Sequence, residues 1–181
     1  MQNKKNITIL SQYLSGNISK YGFFLLGIIL LSVSSKISIP FYPVPMTLQT
    51  FVVYFIAASM GMIGFYSTLS YVILGLIGLP IFAAGGGFGY ILSPTFGFLY
   101  GMVFASFTIA YMSKDLFKGS LYKITLAIFA GAIIIFICGI LHLSFYTGFT
   151  KAITLGLKPF IFSELLKIAL AISLTQLFIK K

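Results

Sequence analysis

The sequence predicts an all-α integral membrane protein, and three observations support that fold class. Of the 181 residues, 59% are hydrophobic and only 8% are charged, whereas soluble domains carry roughly a quarter charged residues. The mean hydropathy is +1.08. Pro, Gly and Lys also divide the chain into six apolar runs. A helical span takes about 20 residues, so we expect a single membrane domain over 1–181 and no soluble domain.

Six apolar runs define the elements of this membrane domain. Each is bounded by helix-breaking or charged residues, as is typical of spans joined by short connections. Three of the runs are short for a hydrocarbon core about 30 Å thick, so we expect tilted helices or loops that enter the protein. A polar segment at 1–20 precedes a six-helix core at 21–179. The runs lie at 21–38, 47–61, 64–79, 94–113, 121–143 and 159–179.

The lysines predict the orientation of the chain in the membrane. All twelve basic residues are lysines, and they give a net charge of +10. Six spans place both termini on one side, and the positive-inside bias puts the lysine-rich side in the cytoplasm. We therefore predict a multi-pass plasma-membrane protein with both termini cytoplasmic. The terminal side holds Lys4, Lys5, Lys20, Lys114, Lys118, Lys123, Lys180 and Lys181, and the outer side holds Lys36, Lys151 and Lys158.

The connection after the first run contains three prolines. Pro40, Pro43 and Pro45 fall within the stretch IPFYPVPMTLQT at 39–50. Proline lacks an amide hydrogen and fixes its own φ angle, so a helix cannot continue through this stretch. We expect an ordered, extended loop on the outer side of the membrane.

The connection after the third run is apolar but rich in glycine. The stretch GLPIFAAGGGFGYILSPT at 78–95 contains Gly85, Gly86, Gly87 and Gly89. Apolar composition combined with helix-breaking residues favours non-helical, partly re-entrant backbone that protein or a cavity surrounds. The stretch lacks the lysine and the strand context of a phosphate-binding loop.

Two interpretations of this glycine-rich loop remain open. It is either a plain linker between two spans or a lid over a cavity on the outer side. Its length and apolarity favour a lid, because Phe82, Phe88 and Tyr90 can pack on a flat ligand. The glycines at 85–87 would then let backbone amides approach that ligand.

The last run contains an acid and a lysine three residues apart. With Pro159 in the first helical turn, Glu164 and Lys167 lie about 7 Å and 12 Å along the axis and share one face. Charged groups near the centre of a membrane helix cost about 2.5–3.5 kcal/mol each, and an i, i+3 pair returns only about 0.2–0.5 kcal/mol. Either the pair belongs to a helix terminus, with Lys167 reaching the interface, or it faces a cavity open to the outside. In a cavity, the ammonium and the carboxylate could bind a solute.

Catalytic interpretations find little support in the residues. Cys138 and His142 lie four residues apart on one helix face, but the sequence offers no third orienting group and no second histidine for a metal. No nucleotide-binding motif is present, and the lysines form no basic stripe for nucleic acid. Methionines such as Met102 are interpreted as core and lipid-facing packing. We expect a protein without a cofactor; an intramembrane enzyme using Cys138 and His142 is the alternative.

Three stretches together resemble one known family. ISIPFYPVPMTLQTF at 37–51, GLPIFAAGGGFGYILSPTFGFLYG at 78–101 and PFIFSELLK at 159–167 are similar, in this order, to the BioY proteins. These are the biotin-specific substrate-binding subunits, or S components, of energy-coupling-factor (ECF) transporters. The resemblance covers 25–180, which is nearly the whole chain.

The resemblance implies the S-component fold, with six helices, cytoplasmic termini and a biotin pocket capped by the proline-containing loop and the glycine-rich loop. In that family an acid and a lysine of the last helix, usually Asp-x-x-Lys, bind the vitamin. They correspond here to Glu164 and Lys167. The glutamate is a departure, because it moves the carboxylate outward by one methylene.

The loops of the family correspond to further residues of this chain. The family's PVPxTLQT loop is matched by Thr47 and Gln49, and Ser93-Pro94-Thr95 takes the place of its Gly-Pro-Thr. The substrate-binding residues that we predict are therefore Glu164, Lys167, Gln49, Thr47, Gly85, Gly86, Gly87, Phe88, Tyr90 and Thr95.

Biotin is chemically suited to this set of residues. It has a carboxylate at one end, a ureido ring with two N–H donors and one C=O at the other, and an apolar chain between them. Lys167 suits the carboxylate or the ureido oxygen, Glu164 suits the N–H groups, and aromatic side chains suit the ring and chain. Either end of the ligand could meet either residue.

The resemblance also implies partners. S components dock a transmembrane scaffold (T) subunit through small residues of the first helix, and two ATPase subunits supply the energy. The first run of this chain has Gly22, Gly27 and Ser32 but no clean small-residue repeat. We therefore predict a biotin-binding membrane subunit of an ATP-driven uptake system. The alternative is a self-sufficient secondary carrier for biotin or another small vitamin, proton-coupled through Glu164.

Overall fold

The computed structural model describes residues 17–113 and 121–179, which form seven α-helices, two short strands and two 3-10 turns. The helices are α1 (Asn17–Lys36), α2 (Gln49–Met60), α3 (Met62–Ile77), α4 (Phe96–Met112), α5 (Leu121–Thr147), α6 (Phe149–Gly156) and α7 (Ile161–Ile179). The strands are β1 (Ser38–Ile39) and β2 (Met46–Thr47), and the 3-10 turns are Phe88–Leu92 and Lys158–Phe160. Several lysines used to predict the orientation lie outside the described residues: Lys4, Lys5, Lys114, Lys118, Lys180 and Lys181.

Six of the helices correspond to the six predicted runs, and the differences are local. Helix α2 begins at Gln49 instead of 47, because the two residues at 46–47 pair as a strand. Helix α5 continues to Thr147, four residues beyond the predicted end, and stops at Gly148, whose φ of +79° suits glycine. The short helix α6 that follows was not predicted from the sequence.

The helices differ in length relative to a membrane. Three segments are long and apolar enough to cross one, namely 18–36, 121–147 and 149–178. Helices α2, α3 and α4 are apolar but have 12, 16 and 17 residues, which corresponds to about 18–26 Å at 1.5 Å per residue. This agrees with the expectation that three helices are short for the hydrocarbon core.

Large apolar side chains cover the outer surface of the helices. Leu25, Ile133 and Leu170 are each more than half exposed, and Phe162 is 81% exposed. Contiguous apolar surface of this extent is unfavourable in water, but it matches the hydrocarbon region of a bilayer. The protein is therefore an all-α integral membrane protein, as the composition predicts.

The proline-containing loop and the glycine-rich loop lie at the same end of the molecule, which we call the loop end. There, the Lys36 ammonium at the end of α1 donates to the carbonyl of Phe82 in the glycine-rich loop at 2.5 Å. The His142 ring in the last turns of α5 lies 3.1 Å from the carbonyl of Ser93, just before α4. Phe160, just before α7, packs on Phe41 of the proline-containing loop with ring centroids 6.4 Å apart, so α7 begins at this end. The first residue of α1 and the last residue of α7 therefore lie at the opposite end.

Helices α4 and α5 pack closely and run antiparallel. Gly139 of α5 lies directly under the ring of Phe98 in α4, and Gly131 lies under the side chain of Ile109 further along the pair. A Cβ at either glycine would come within 2.5 Å of the facing side chain, which would have to move to make room for it. This close approach fixes α5 as one side of the space beneath the loops.

The proline-containing loop folds as a two-stranded antiparallel ribbon. Ser38 pairs with Thr47 and Ile39 pairs with Met46, so the three prolines fall in or beside the turn. The prediction of an ordered, non-helical connection is confirmed. The ribbon leads directly into the first turn of α2, which therefore begins at the loop end.

The glycine-rich loop folds back onto the end of α3. The amide of Gly87 donates to the carbonyl of Gly75 at 2.7 Å, and Phe82 and Gly85 form an isolated β-bridge. Gly85 and Gly87 have φ angles of +112° and +108°, which L side chains rarely adopt. The backbone is non-helical, as predicted, apart from one 3-10 turn at Phe88–Leu92.

Candidate substrate-binding site

A cavity opens between the two loops and the helices at the loop end. Its free space is about 570 Å³ when its open mouth is included. The ribbon, the glycine-rich loop and helices α2, α4, α5 and α7 all contribute to its wall. The polar residues of the lining are Thr47, Gln49, Thr50, Tyr90, Thr95, Glu164 and Lys167, and the apolar ones are Val44, Pro45, Ala83, Phe98, Leu99, Met102, Ile135, Phe136 and Phe160.

Helix α7 brings the charged pair to the wall of this cavity. The side chains of Glu164 and Lys167 are one helical turn apart, and the Lys167 Nζ atom lies 3.2 Å from the Glu164 Oε2 atom. Only 4% of Glu164 and 8% of Lys167 is exposed. Glu164 and Lys167 therefore face the cavity, which is the second of the two interpretations of the pair, and Lys167 does not extend to the interface.

Helix α2 supplies the remaining partners of Glu164. The hydroxyl of Thr50 donates to Oε2 at 3.2 Å, and the hydroxyl of Tyr54 donates to Oε1 at 2.6 Å. Because Thr50 and Tyr54 are four residues apart, they share the face of α2 that meets α7. Both oxygens of the carboxylate are thus hydrogen-bonded, which offsets the cost of burying a charge.

The ammonium of Lys167 keeps hydrogen-bonding capacity for a ligand. It donates to the Thr50 Oγ1 atom and to the Glu164 Oε2 atom, each at 3.2 Å. A lysine ammonium has three N–H donors, and the third meets no acceptor in the part of the chain that the structure describes. The cavity therefore offers a charged donor for a carboxylate or a carbonyl oxygen, and its counter-ion is already in place.

The ribbon and the start of α2 place Thr47 and Gln49 at the cavity. The Thr47 hydroxyl donates to the Gln49 Oε1 atom at 3.1 Å, and the Gln49 Nε2 atom donates to the Tyr71 hydroxyl at 2.8 Å. Tyr71 in turn donates to the carbonyl of Ile81 at 3.0 Å, in the glycine-rich loop. Gln49 therefore connects the cavity wall to the backbone of that loop.

The end of the glycine-rich loop contributes Tyr90 and Thr95. Their hydroxyls lie 3.4 Å apart, and the Thr95 hydroxyl lies 2.8 Å from the hydroxyl of Ser93. The ring of Tyr90 packs on Phe82 with centroids 4.7 Å apart. These contacts hold two of the predicted site residues at the mouth formed by the loop and the start of α4.

Four of the predicted site residues lie beside the cavity and do not line it. Gly85, Gly86, Gly87 and Phe88 are absent from its wall, and the Phe88 side chain is 77% exposed. The amides of Gly85 and Gly87 already donate to carbonyls of Phe82 and Gly75, so they are not available to a ligand. The backbone at 85–87 packs against the end of α3, and the nearby residue Ala83 lines the cavity.

Phe82 is a core residue and does not pack on a ligand as the sequence suggested. Its ring is fully buried over Gly75 of α3, where it also contacts the ring of Tyr71 with centroids 5.5 Å apart. Side chains of α1 bind two backbone carbonyls here: the Ser35 hydroxyl donates to the carbonyl of Ile81 at 2.7 Å, and the Lys36 ammonium donates to the carbonyl of Phe82. The loop is therefore anchored as a wall of the cavity, which favours the lid interpretation over a plain linker.

Cys138 and His142 lie outside the cavity lining. The His142 ring contacts the Ser93 carbonyl and packs edge-on against Phe96 and Tyr100, so its polar atom serves to join α5 to the loop before α4. Within 17–113 and 121–179, no group of three or more His, Cys, Asp or Glu residues could hold a metal ion. The arrangement supports a structural role for both residues.

Several residues of the site were missed by the sequence reasoning. Thr50 and Tyr54 were not singled out, although two hydroxyl side chains four residues apart in an apolar helix indicate a polar stripe. Met102 was interpreted as ordinary packing, yet it lines the cavity with Phe98 and Leu99. No local signal distinguishes these apolar residues from core, because only the tertiary fold leaves a cavity beside them.

A comparison with solved structures defines the class of protein. A crystal structure at 2.1 Å of the S-component for biotin from an ECF-type ABC transporter matches this chain with a TM-score of 0.79. The match covers 91% of this chain and 92% of that chain at 22% sequence identity, which establishes a common fold. The protein thus has the fold of an ECF transporter S-component, as predicted.

The family follows from comparison of the sequences. The model of the BioY family matches residues 4–181, and the chain belongs to this family. It is 37% identical over 153 residues to the probable biotin transporter BioY of Pyrococcus horikoshii, covering 83% of this chain and 90% of that protein. It is also 37% identical over 155 residues to the biotin transporter BioY of Thermotoga maritima, covering 84% and 90%. The predicted family is confirmed, and these relatives are named as transporters and not as enzymes.

Proposed function

We propose that this protein binds biotin in the cavity at its loop end and serves as the substrate-binding subunit for biotin uptake. The observation that carries the proposal is the buried pair of Glu164 and Lys167 at the cavity wall. It occurs in a chain of a family whose compared members are named biotin transporters. Burying such a pair costs stability in a membrane helix, so a binding role gives a reason for its presence.

The chemistry of the cavity supports biotin as the ligand. Lys167 offers a charged donor to the ureido oxygen or the carboxylate, and Glu164 can accept from an N–H group of the ureido ring. Phe98, Leu99 and Met102 give the apolar chain a surface to pack on. Thr47, Gln49, Tyr90 and Thr95 complete the polar contacts that we propose, while Gly85, Gly86, Gly87 and Phe88 would shape the loop around them.

Calorimetry on the purified protein tests this proposal. We expect saturable binding of biotin, and mass spectrometry should identify biotin in protein purified from cells grown with the vitamin. A titration with biotin amide, which lacks the carboxylate charge, then tells which end of the ligand meets Lys167. A wild-type protein that is folded and binds no biotin would overturn the assignment.

We further propose that the protein works with an ECF scaffold subunit and two ATPase subunits. The fold of an ECF transporter S-component supports this proposal. Uptake of labelled biotin by cells should then stop on ATP depletion and persist when a protonophore collapses the proton gradient at constant ATP. The opposite result would favour the secondary carrier that is proton-coupled through Glu164.

The proposed orientation has both termini in the cytoplasm. Lys5 and Lys180, which lie outside the described residues, can each be replaced by cysteine in a Cys138→Ser background. An impermeant thiol reagent should label K5C and K180C only after the membrane is opened. A cysteine at Lys158, at the loop end, is the matched control and should react in intact cells.

A further inference from the structure

We infer that Tyr54 is a positioning residue that holds the carboxylate of Glu164 in place, so that Lys167 faces the ligand. The inference deepens the proposed function and rests on it. Tyr54 is fully buried and is not part of the cavity lining, whereas Glu164 and Lys167 are. Its hydroxyl donates to the Glu164 Oε1 atom at 2.6 Å, the shortest hydrogen bond that this carboxylate makes with the described residues.

The two oxygens of Glu164 are held by different partners. Tyr54 donates to Oε1, whereas Thr50 and Lys167 donate to Oε2. The terminal torsion of a glutamate is soft, so a single partner would let the carboxylate plane rotate. A partner on each oxygen fixes the plane of the carboxylate.

The fixed carboxylate determines where the ammonium lies. Lys167 donates to the Oε2 atom and to the Thr50 hydroxyl, and these two acceptors at 3.2 Å leave its third donor for a ligand. Without the Tyr54 hydroxyl, Oε1 would lose its partner inside the protein, and a buried acceptor without a partner is costly. We expect the carboxylate to rotate so that both oxygens share Lys167 and Thr50, which draws the ammonium away from the ligand.

The length of the acidic side chain gives the inference a specific signature. Glu164 has one methylene more than an aspartate, and its Oε1 atom accepts the hydrogen bond from Tyr54 on α2. The carboxylate of an aspartate at 164 would lie too far from the Tyr54 hydroxyl for a hydrogen bond. Lys167, one helical turn away, would remain its neighbour on α7. The contribution of the Tyr54 hydroxyl to binding should therefore depend on which acid is present.

A double-mutant cycle with Tyr54→Phe and Glu164→Asp tests the inference. We expect Y54F to weaken biotin binding about 10-fold or more in the wild-type background, as loss of a hydrogen bond to a charged group predicts. The same substitution should change affinity less than about 2-fold in E164D. Equal losses of biotin affinity on Y54F substitution in both backgrounds, or no loss in the wild-type background, would overturn the inference. Tyr100→Phe is the control, since that hydroxyl binds the Cys138 carbonyl outside the cavity lining and its removal should leave affinity unchanged.

Infrared spectroscopy of the ligand-free protein separates this inference from the proposed function. The carboxylate band of Glu164 is the one that Glu164→Gln removes. It should shift in Y54F and stay in place in Y100F, whether or not biotin is the ligand. An unshifted band in Y54F would overturn the inference even if biotin binds. A shifted band in a protein that binds no biotin would refute biotin as the ligand, but it would support the role of Tyr54 in holding the carboxylate.

Discussion

The helical wall and the loop wall of the cavity present their polar atoms in different ways. On the helical wall, Glu164, Lys167 and Thr50 point charged and hydroxyl groups at the cavity from rigid elements. The loop wall consists of the ribbon and the glycine-rich loop, and there the backbone amides of Gly85 and Gly87 bind the carbonyls of Phe82 and of Gly75 in α3. We therefore expect the helical wall to provide the charged contacts to a ligand, and the loop wall to provide shape together with the hydroxyls of Tyr90 and Thr95.

This difference shows how a membrane protein keeps a polar site stable. Polar side chains on two helices satisfy each other while one donor stays available, so the site survives without a ligand. The backbone groups of the glycine-rich loop are instead bound within the loop and by α1 and α3, because buried backbone groups need partners. Changes to the helical wall should therefore affect both binding and stability, and changes to the glycine backbone of the loop wall should affect mainly stability.

Removal of the acid should give the largest effect on stability. Glu164→Ala leaves the Lys167 ammonium buried with Thr50 as its remaining described partner, and an uncompensated buried charge costs about 3–5 kcal/mol. Unfolding of the detergent-solubilised variants should show this loss. Glu164→Gln keeps the volume and an acceptor, so its loss should be smaller. An E164A protein as stable as wild type would show that the Glu164 carboxylate does not compensate the buried charge of Lys167.

Strain in the loop wall should have an intermediate effect. Gly87→Ala forces an L side chain into a φ of +108°, and such backbone strain costs about 1–3 kcal/mol. Gly89→Ala is the matched control, because a Cβ there meets no atom within 4 Å and its φ is ordinary. Thermal unfolding in detergent should rank wild type and G89A together above G87A. Equal stability of G87A and G89A would contradict the account of the loop.

The smallest effect is expected at the exposed aromatic residue of the loop. Phe88→Ala should leave biotin affinity within about 2-fold of wild type, because its side chain is 77% exposed and does not line the cavity. Tyr90→Ala is the comparison, since Tyr90 lines the cavity and packs on Phe82, and it should weaken binding clearly. Competition with labelled biotin measures both. A greater loss in F88A than in Y90A would reverse the assignment of this wall.

The sequence predicted the helical wall better than the loop wall. The spacing of Glu164 and Lys167 places them on one helix face by geometry alone, and a buried charged pair implies a partner or a cavity. Sequence periodicity does not show which backbone amides of a glycine-rich loop are bound by carbonyls of the protein. The prediction therefore assigns Gly85 and Gly87 to the ligand, although their amides donate to the carbonyls of Phe82 and Gly75.

Contacts between distant segments account for the other differences. Tyr54 meets Glu164 across 110 positions of the chain, and Thr50 meets it across 114. Local patterns carry no information about such pairs until the packing of α2 against α7 is known. The helix boundaries differ for a similar reason, because the pairing of Met46–Thr47 with β1 delays the start of α2.

Calorimetric titration of Lys167→Ala with biotin tests whether the ammonium at the cavity wall binds the ligand. The variant removes the donor that faces the cavity and leaves the loop wall intact, and Lys158→Ala, which removes an exposed lysine at the same end, is its control. We expect wild-type affinity in K158A and a loss of at least about 100-fold in K167A, because a charged hydrogen-bond donor is removed from a buried site. A folded K167A protein that binds biotin as tightly as wild type would contradict the account.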